Sequence, residues 1–290
     1  MRKLSTEKRA MILECLCEGN SVAATCRMLR VSKVTVLRLL ADAGTLAVDF
    51  HDLKVRDLQC DRVQVDEIWS FVGAKQRQVD RGADAEGSTW TWTAIDSDSK
   101  LLISYLVGKR DGGYAMEFAY DMADRIEGRF QLTSDGLAAY LDAISDAFGD
   151  GIDYAMLVKI YGAERPDHAR YSPAVCTGAR KNVVIGNPDE DHVSTSHVER
   201  QNLTVRMQNR RFTRLTNAFS KKLANHQHHV ALHYFHYNFV RKHQTIKTTP
   251  AMMAGIADHR WTMVEFVEML EREEKARGGR LTDYLPADLK

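Results

Sequence analysis

Across the first 44 residues apolar positions recur every three or four, at Ile12, Cys15 and Leu16 and again at Val36, Leu37 and Leu40. Lys8, Arg9, Lys33, Thr35 and Arg38 fall on the polar sides of the same runs. That period is helical. Ser5 or Thr6, Ser21 and Ser32 supply N-caps and Gly19 and Gly44 supply stops, so three helices are expected. From Arg62 the period shortens to two in "RVQVDEIWSFVGAK", "TWTWTAIDSDSK" and "LLISYLVGKR", which predict three strands rich in Val, Ile, Trp and Tyr. A helix is expected around 113–127, then a fourth strand ending at Ser134-Asp135-Gly136, another helix, and a strand in "IDYAMLVKIYG". Residues 162–192, with Pro166, Pro173 and Pro188, predict a loop or insertion. A helical region, continuous or broken, is expected from Thr195 to about Lys242.

These elements predict an α/β protein with a mixed sheet flanked by helices, preceded by an all-α unit. The expected organisation is a helix-turn-helix domain over 1–44, a connector over 45–60, an α/β core over 61–247 and a helical tail over 248–290. In a helix-turn-helix the early residues of the second helix of the pair reach base edges, which points to Lys33, Thr35 and Arg38.

Charge sharpens that picture. The net charge of +1 over 290 residues conceals two basic blocks. Residues 1–44 hold eight Lys/Arg against four acids, and residues 200–257 hold ten Lys/Arg and no acid. Basic blocks around an acidic centre suit a polyanion such as DNA, whose counterions are released when Lys and Arg replace them. No run of eighteen apolar residues exists, so no membrane partner is expected. The charged, amphipathic start does not read as a signal peptide, and five irregularly spaced cysteines favour reduced thiols in a cytoplasmic setting.

Carboxylates inside an apolar pattern are the main chemical clue. Asp66 and Glu67 interrupt the first strand, and Asp135 ends the fourth. Buried acids are costly unless paired, hydrogen-bonded or bound to a cation. If the first and fourth strands are neighbours, Asp66 and Asp135 sit side by side. Glu199, the only acid between His192 and Asp258, is the third candidate. Hard carboxylate oxygens suit Mg²⁺, and two such ions promote in-line phosphoryl transfer. Glu67 alternates to the opposite face from Asp66 and is expected to be structural. Trp69 and Trp92 are expected in the core. Arg206 and Arg210 return to roughly the face of Glu199, where guanidinium groups can grip phosphate. A competing zinc set, His229, His233 and His236 at i, i+4 and i+7, lacks the Glu of a metalloprotease helix and sits among Tyr and Phe, so packing is expected of it.

"VDEIWSFVGAKQR", "TSDGLAAY", "HVERQNLTVRMQNRRFTRLTNAFSKK" and "YNFVRKHQTIKTTPAMMAGI" together resemble the DDE transposases of bacterial insertion sequences, most nearly the first-described insertion-sequence family. The motifs span roughly 63–256. The resemblance implies a ribonuclease-H-like core with catalytic, metal-binding acids at Asp66, Asp135 and Glu199, using Mg²⁺ (or Mn²⁺). It further implies double-stranded DNA partners, both element ends and target, contacted by Lys33, Thr35, Arg38, Arg200, Arg206, Arg210 and Arg211. A homo-oligomer on DNA in a bacterial, nucleoid-associated setting would follow. Relatives of this type often carry a cysteine zinc motif ahead of the helix-turn-helix, and this chain has none. A regulator that binds DNA through the same helices but no longer catalyses is the alternative, and a nuclease that cuts without joining is a weaker one.

Overall fold

The computed structural model describes residues 4–162, 176–214 and 216–284. Three helices open it: α1 (Thr6–Cys17), α2 (Val22–Leu29) and α3 (Lys33–Lys54). The side chains of Ser5, Ser21 and Ser32 accept from the backbone N–H groups of Lys8, Ala24 and Thr35, satisfying donors that a helix start leaves unpaired. Gly19 lies beyond α1 at φ +79°, where glycine carries no Cβ penalty. Gly44 does not end α3. It lies mid-helix against α8 (Leu223–Phe235), where a Cβ would stand 2.4 Å from His228 Cβ, so its use is close helix contact. The stretch 45–54, expected as connector, is helical, with one face (Thr45, Leu46, Ala47, Phe50 and His51) buried. Its Phe50 ring meets Phe235, Phe239 and Trp261 at 5.0–5.3 Å between centroids.

The strands and helices that follow are β1 (Leu58–Gln59), β2 (Arg62–Val72), α4 (Gln76–Val79), β3 (Gly87–Asp96), β4 (Leu102–Gly108), α5 (Gly112–Ala123), β5 (Ile126–Glu127), β6 (Gln131–Ser134), α6 (Ala139–Phe148), β7 (Asp153–Tyr161) and β8 (Cys176–Ile185). β1 and β5 make a small parallel pair. The others form a mixed sheet in the order β4-β3-β2-β6-β7-β8, with β2, β6 and β7 parallel. β8 corrects the loop expected over 162–192. It is an edge strand, exposed along almost its whole length and rich in Thr, Gly, Arg, Lys and Asn, so no buried face marks it in the sequence. The remainder of that expected loop, 163–175, lies outside the described residues.

Helices cover both faces of the sheet. α5 and α6 pack together on one side. On the other, α7 (Ser196–Gln208) crosses β2 and is followed by α8. The helical region expected from 195 to 242 is broken between these two by a 3₁₀ turn at Arg210–Phe212 and irregular chain. α8 continues into a π-helical turn at His236–Val240, from which Asn238 pairs both backbone groups of Leu102 at 2.9 Å. α9 (Pro250–Met253) and α10 (Met263–Arg277) follow, and a 3₁₀ turn at Leu281–Tyr284 closes the described residues. α10 packs on α1 through buried Arg9, which donates to Glu271 and Glu274. One apolar core runs from α1–α3 through the sheet to α10, so the N-terminal helices share it with the α/β part. No helix of the described residues is long and apolar enough to cross a membrane.

Candidate active site

β2 distributes its side chains by strict alternation. Val63, Val65 and Glu67 face α5 and α6, where Val63 and Val65 join the main core. Gln64, Asp66, Ile68 and Ser70 face α7 and α8, and Ile68 joins a smaller core with Val205, Val230 and Tyr234. Gln64 Oε1 accepts from the N–H groups of His197 (2.8 Å) and Val198 (3.2 Å), fixing the start of α7 across the strand.

The first and fourth expected strands, β2 and β6, are neighbours, but they pair only from Arg62↔Gln131 to Gln64↔Thr133. Beyond Gln64 the β6 side of β2 is open. Asp135 follows directly on Ser134 and turns back into that opening, its Oδ1 accepting from Leu137 N at 2.9 Å. Crevices at the carboxyl ends of parallel strands are where α/β sheets bind ligands. Here oxygens of Asp66, Glu67 and Asp135 all come within 4.8 Å of one another.

Each acid has a distinct support. Asp66 Oδ1 accepts from the N–H of Glu67 at 2.9 Å and its Oδ2 from Asn202 Nδ2 at 2.8 Å. Burial, with the charges of Glu67, Asp135 and Glu199 nearby, raises its pKa to about 7. Glu67 is on the opposite face, as alternation requires. It accepts from Tyr140 Oη (3.0 Å) and Arg110 Nε (2.5 Å), yet its carboxylate still reaches the open edge beside Asp66. Burial and Asp135 raise its pKa, and Arg110 and Tyr140 oppose the rise. Arg110 lies over the ring of Trp90 at 4.7 Å and comes within 3.8 Å of Asp135 Oδ2, so a guanidinium balances the acids from one side.

Glu199 stands apart from that tight trio. It sits on α7 three residues before Asn202, near enough for its charge to act on Asp66. Lys159 of β7 and Thr195 Oγ1 hold its carboxylate. Arg206, on the same flank of α7, is half-buried with Nη1 unpaired, and its pKa is lowered by burial and by Arg214 while Asp66 opposes.

The other expected contact residues are dispersed. Lys33 and Arg38 are exposed near the start of α3, and Thr35 shares a 2.8 Å hydrogen bond with Ser32. Arg200 is exposed on α7. Lys33 and Arg210 line a cleft of about 520 Å³ that links the start of α3 to the segment after α7. Arg211 also borders this cleft, but its guanidinium turns inward, donating to His229 Nδ1 and Ser220 Oγ at 2.8 Å, and burial lowers its pKa to about 10. This is a correction to its expected place on a phosphate-facing surface: the buried histidine supplies the acceptor that draws it in. The same bond disposes of the zinc set, because His229 uses one ring nitrogen on Arg211 and the other on Leu16 O.

Arg110 and Lys159 escape sequence reading. Each lies on a strand or strand end remote in sequence from the acid it holds, and nothing local marks it. Asn202 was legible, since three residues along a helix from Glu199 it must share a flank.

The chain matches no family model, and no curated protein matches it. Among solved structures, it is similar to a piggyBac transposase synaptic complex with hairpin DNA at 12% identity and TM-score 0.30, over 78% of this chain and 54% of that one. It is also similar to the Mos1 strand transfer complex at 11% identity and TM-score 0.21, over 81% and 76%. The chain thus spans about half the length of the first of these. Likenesses this loose carry neither fold nor function, and the site's own residues must support the reading.

Proposed function

We propose that this chain is a DDE transposase with a ribonuclease-H-like core: it binds the terminal inverted repeats of an insertion element and catalyses DNA strand cleavage and strand transfer. The observation that carries the reading is the meeting of Asp66 and Asp135 in the crevice where β2 and β6 part, with Glu199 on the helix that crosses it. Those acids belong to three motifs far apart in sequence, and a solvated acidic surface has no reason to gather them.

An all-oxygen donor set of this density fits Mg²⁺ (or Mn²⁺). Asp66, Asp135 and Glu199 would hold it, and bound there it activates the attacking oxygen and stabilises the leaving one. The chain's own residues do the rest. Asn202 orients Asp66, Lys159 and Thr195 hold Glu199 ready, and Arg110 holds Glu67 in place and opposes the rise of its pKa. Arg206, half-buried on the same flank of α7, places its positive charge where it acts on Asp66. Arg200 and Arg210 extend the phosphate-gripping surface, and Arg211 supports it from beneath. Lys33, Thr35 and Arg38 read base edges of the element end from a helix-turn-helix within 1–44. The work on two ends and a target suits a homo-oligomer assembled on DNA.

The test is to incubate the protein with Mg²⁺ and duplex carrying the element's end, then resolve nicked and joined strands on a denaturing gel. Asp66→Ala, Asp135→Ala and Glu199→Ala should each abolish both products while end binding persists. Continued joining by Asp135→Ala would overturn the assignment.

A further inference from the structure

Away from the acids, on the opposite flank of α7, a second cavity of about 180 Å³ opens between α7, the β3–β4 turn and the segment after the π-helical turn. Three cations line it, Lys100, Arg200 and Arg241, together with the imidazoles of His197 and His243, whose pKa values burial lowers. No carboxylate lines it. Asp98, bonded to Arg62 at 2.5 Å, and Asp96, bonded to Ser99 N at 2.8 Å, stand close enough for their charge to act on Lys100 and His197 but do not line the cavity.

The donors are also under-used. Gln201, 2% exposed, borders the cavity with its Nε2 unpaired. Arg241 Nη1 is buried without an acceptor. Lys100 Nζ bonds Ser97 O, yet it also stands 3.1–3.2 Å from the ring nitrogens of His197, a donor-rich contact between two basic groups. Burial lowers the pKa of Lys100, and burial together with Lys100 lowers that of His197. Buried polar groups are normally paired, so two orphaned donors on side chains that border one basic cavity call for an acceptor such as an anion. The cavity suits a compact tetrahedral oxyanion with several acceptor oxygens better than a planar carboxylate, since its donors come from three separate segments.

We propose that this cavity is a phosphate-binding site that holds a backbone phosphate of the substrate strand a few nucleotides from the bond that is cut. The phosphate site stands on these donors alone; its place on that strand rests on the function proposed above. The stripe His197, Gln201 and Thr204 lies on the opposite flank of α7 from the stripe Glu199, Asn202 and Arg206, with the buried seam Val198–Val205 between them, so a strand joining the two sites passes over the exposed back of the helix at Arg200. Half the circumference of a helix about 10–12 Å across is about 17 Å, which a strand rising about 3.4 Å per nucleotide covers in roughly five nucleotides. The site therefore sets the register of the strand against the acids.

Titration of the full chain with inorganic phosphate, followed by the ring-nitrogen resonances of its histidines, tests the site itself. Those of His197 should shift saturably. Arg241→Gln and Gln201→Leu should each weaken the effect about tenfold, the loss of one charge-assisted or buried donor, while Arg272→Gln on α10 changes nothing. Gln201→Leu removes a donor that has no partner, so its Tm should not fall and serves as the folding check. No shift of His197 in the wild type would overturn the site. A salt titration of duplex binding tests the strand: Arg241→Gln should reduce the log–log slope by about one. If inorganic phosphate binds but that slope is unchanged, the site takes free phosphate and the assignment to the strand is overturned. Failure of the transposase reading would look different, as joining that survives Asp135→Ala with phosphate binding intact.

Discussion

Asp66 concentrates the electrostatics of this protein in one side chain. Its pKa stands at about 7 in place of 3.8, so the folded chain holds a proton that the unfolded chain has already released. Stability must then fall as pH rises from about 4 through about 7, with a slope approaching 1.4 kcal/mol per pH unit for this group. Asp66→Asn removes the penalty of a buried charge. Its Tm should exceed the wild-type value at pH 8, with a gap that closes towards pH 4. Millimolar Mg²⁺ should raise the wild-type Tm at pH 8 and raise that of Asp66→Asn less. Thermal scans across this range decide the matter, and an equal gap at pH 4 and pH 8 would mean the acid is not electrostatically strained. Glu67 next to it shows why alternation alone is a poor guide at a strand edge. It points to the other face, yet where β6 has ended its carboxylate still comes within reach of Asp66 and Asp135.

At the scale of elements, the contact of α3 with α8 sets how the N-terminal helices are held. Gly44 in a helix interior loses about 1 kcal/mol to alanine on propensity alone. Tertiary geometry opposes that gain, because the added Cβ would meet Cβ, Cα and O of His228 at 2.4–2.7 Å, and two of these are backbone atoms that cannot swing away. Overpacking of this kind costs about 1–3 kcal/mol or more. Gly44→Ala should therefore lower stability by roughly 2 kcal/mol in a denaturant titration, with an unchanged m-value. A stabilised variant would show that α3 and α8 can separate freely. The other decisive element is α7, whose start is pinned by Gln64 and whose flanks divide the labour: Glu199, Asn202 and Arg206 towards the acids, His197 and Gln201 towards the basic cavity.

For the whole molecule, the continuity of the core has a direct consequence. α1 leans on α10 through Arg9, and α3 is cut off from its partners if the chain stops at residue 44. α1 and α3 pack on elements more than 150 residues away, α10 and α8, while α2 packs on α1 and α3. A peptide of residues 1–44 should accordingly be largely unfolded by circular dichroism, whereas the full chain should unfold in one cooperative step. A stably helical peptide would show instead that these helices form an independent domain. On the reading proposed here, this shared core would couple the helices that recognise an element end rigidly to the sheet that carries the acids.

Local chemistry was enough to announce much of this. Serine caps, helical and strand periods and the run of basic residues after Glu199 all act over a few neighbours, so three N-terminal helices, the strands β2, β3, β4, β6 and β7 and the candidate acids could be read directly from the chain, whereas the two-residue strands β1 and β5 could not. What eluded it depends on partners distant in sequence. The extension of α3 past Gly44 follows from how closely α8 approaches, and β8 exists because β7 offers it an edge. Arg211 faces inward because His229 lies beneath it. The proximity of Asp66 and Asp135 required β2 and β6 to be neighbours, a strand order no periodicity encodes. The cations that steady the acids, Arg110 and Lys159, and the basic cavity beside α7 are likewise products of that order: local sequence sets what each residue can do, and only the tertiary arrangement sets which residues meet.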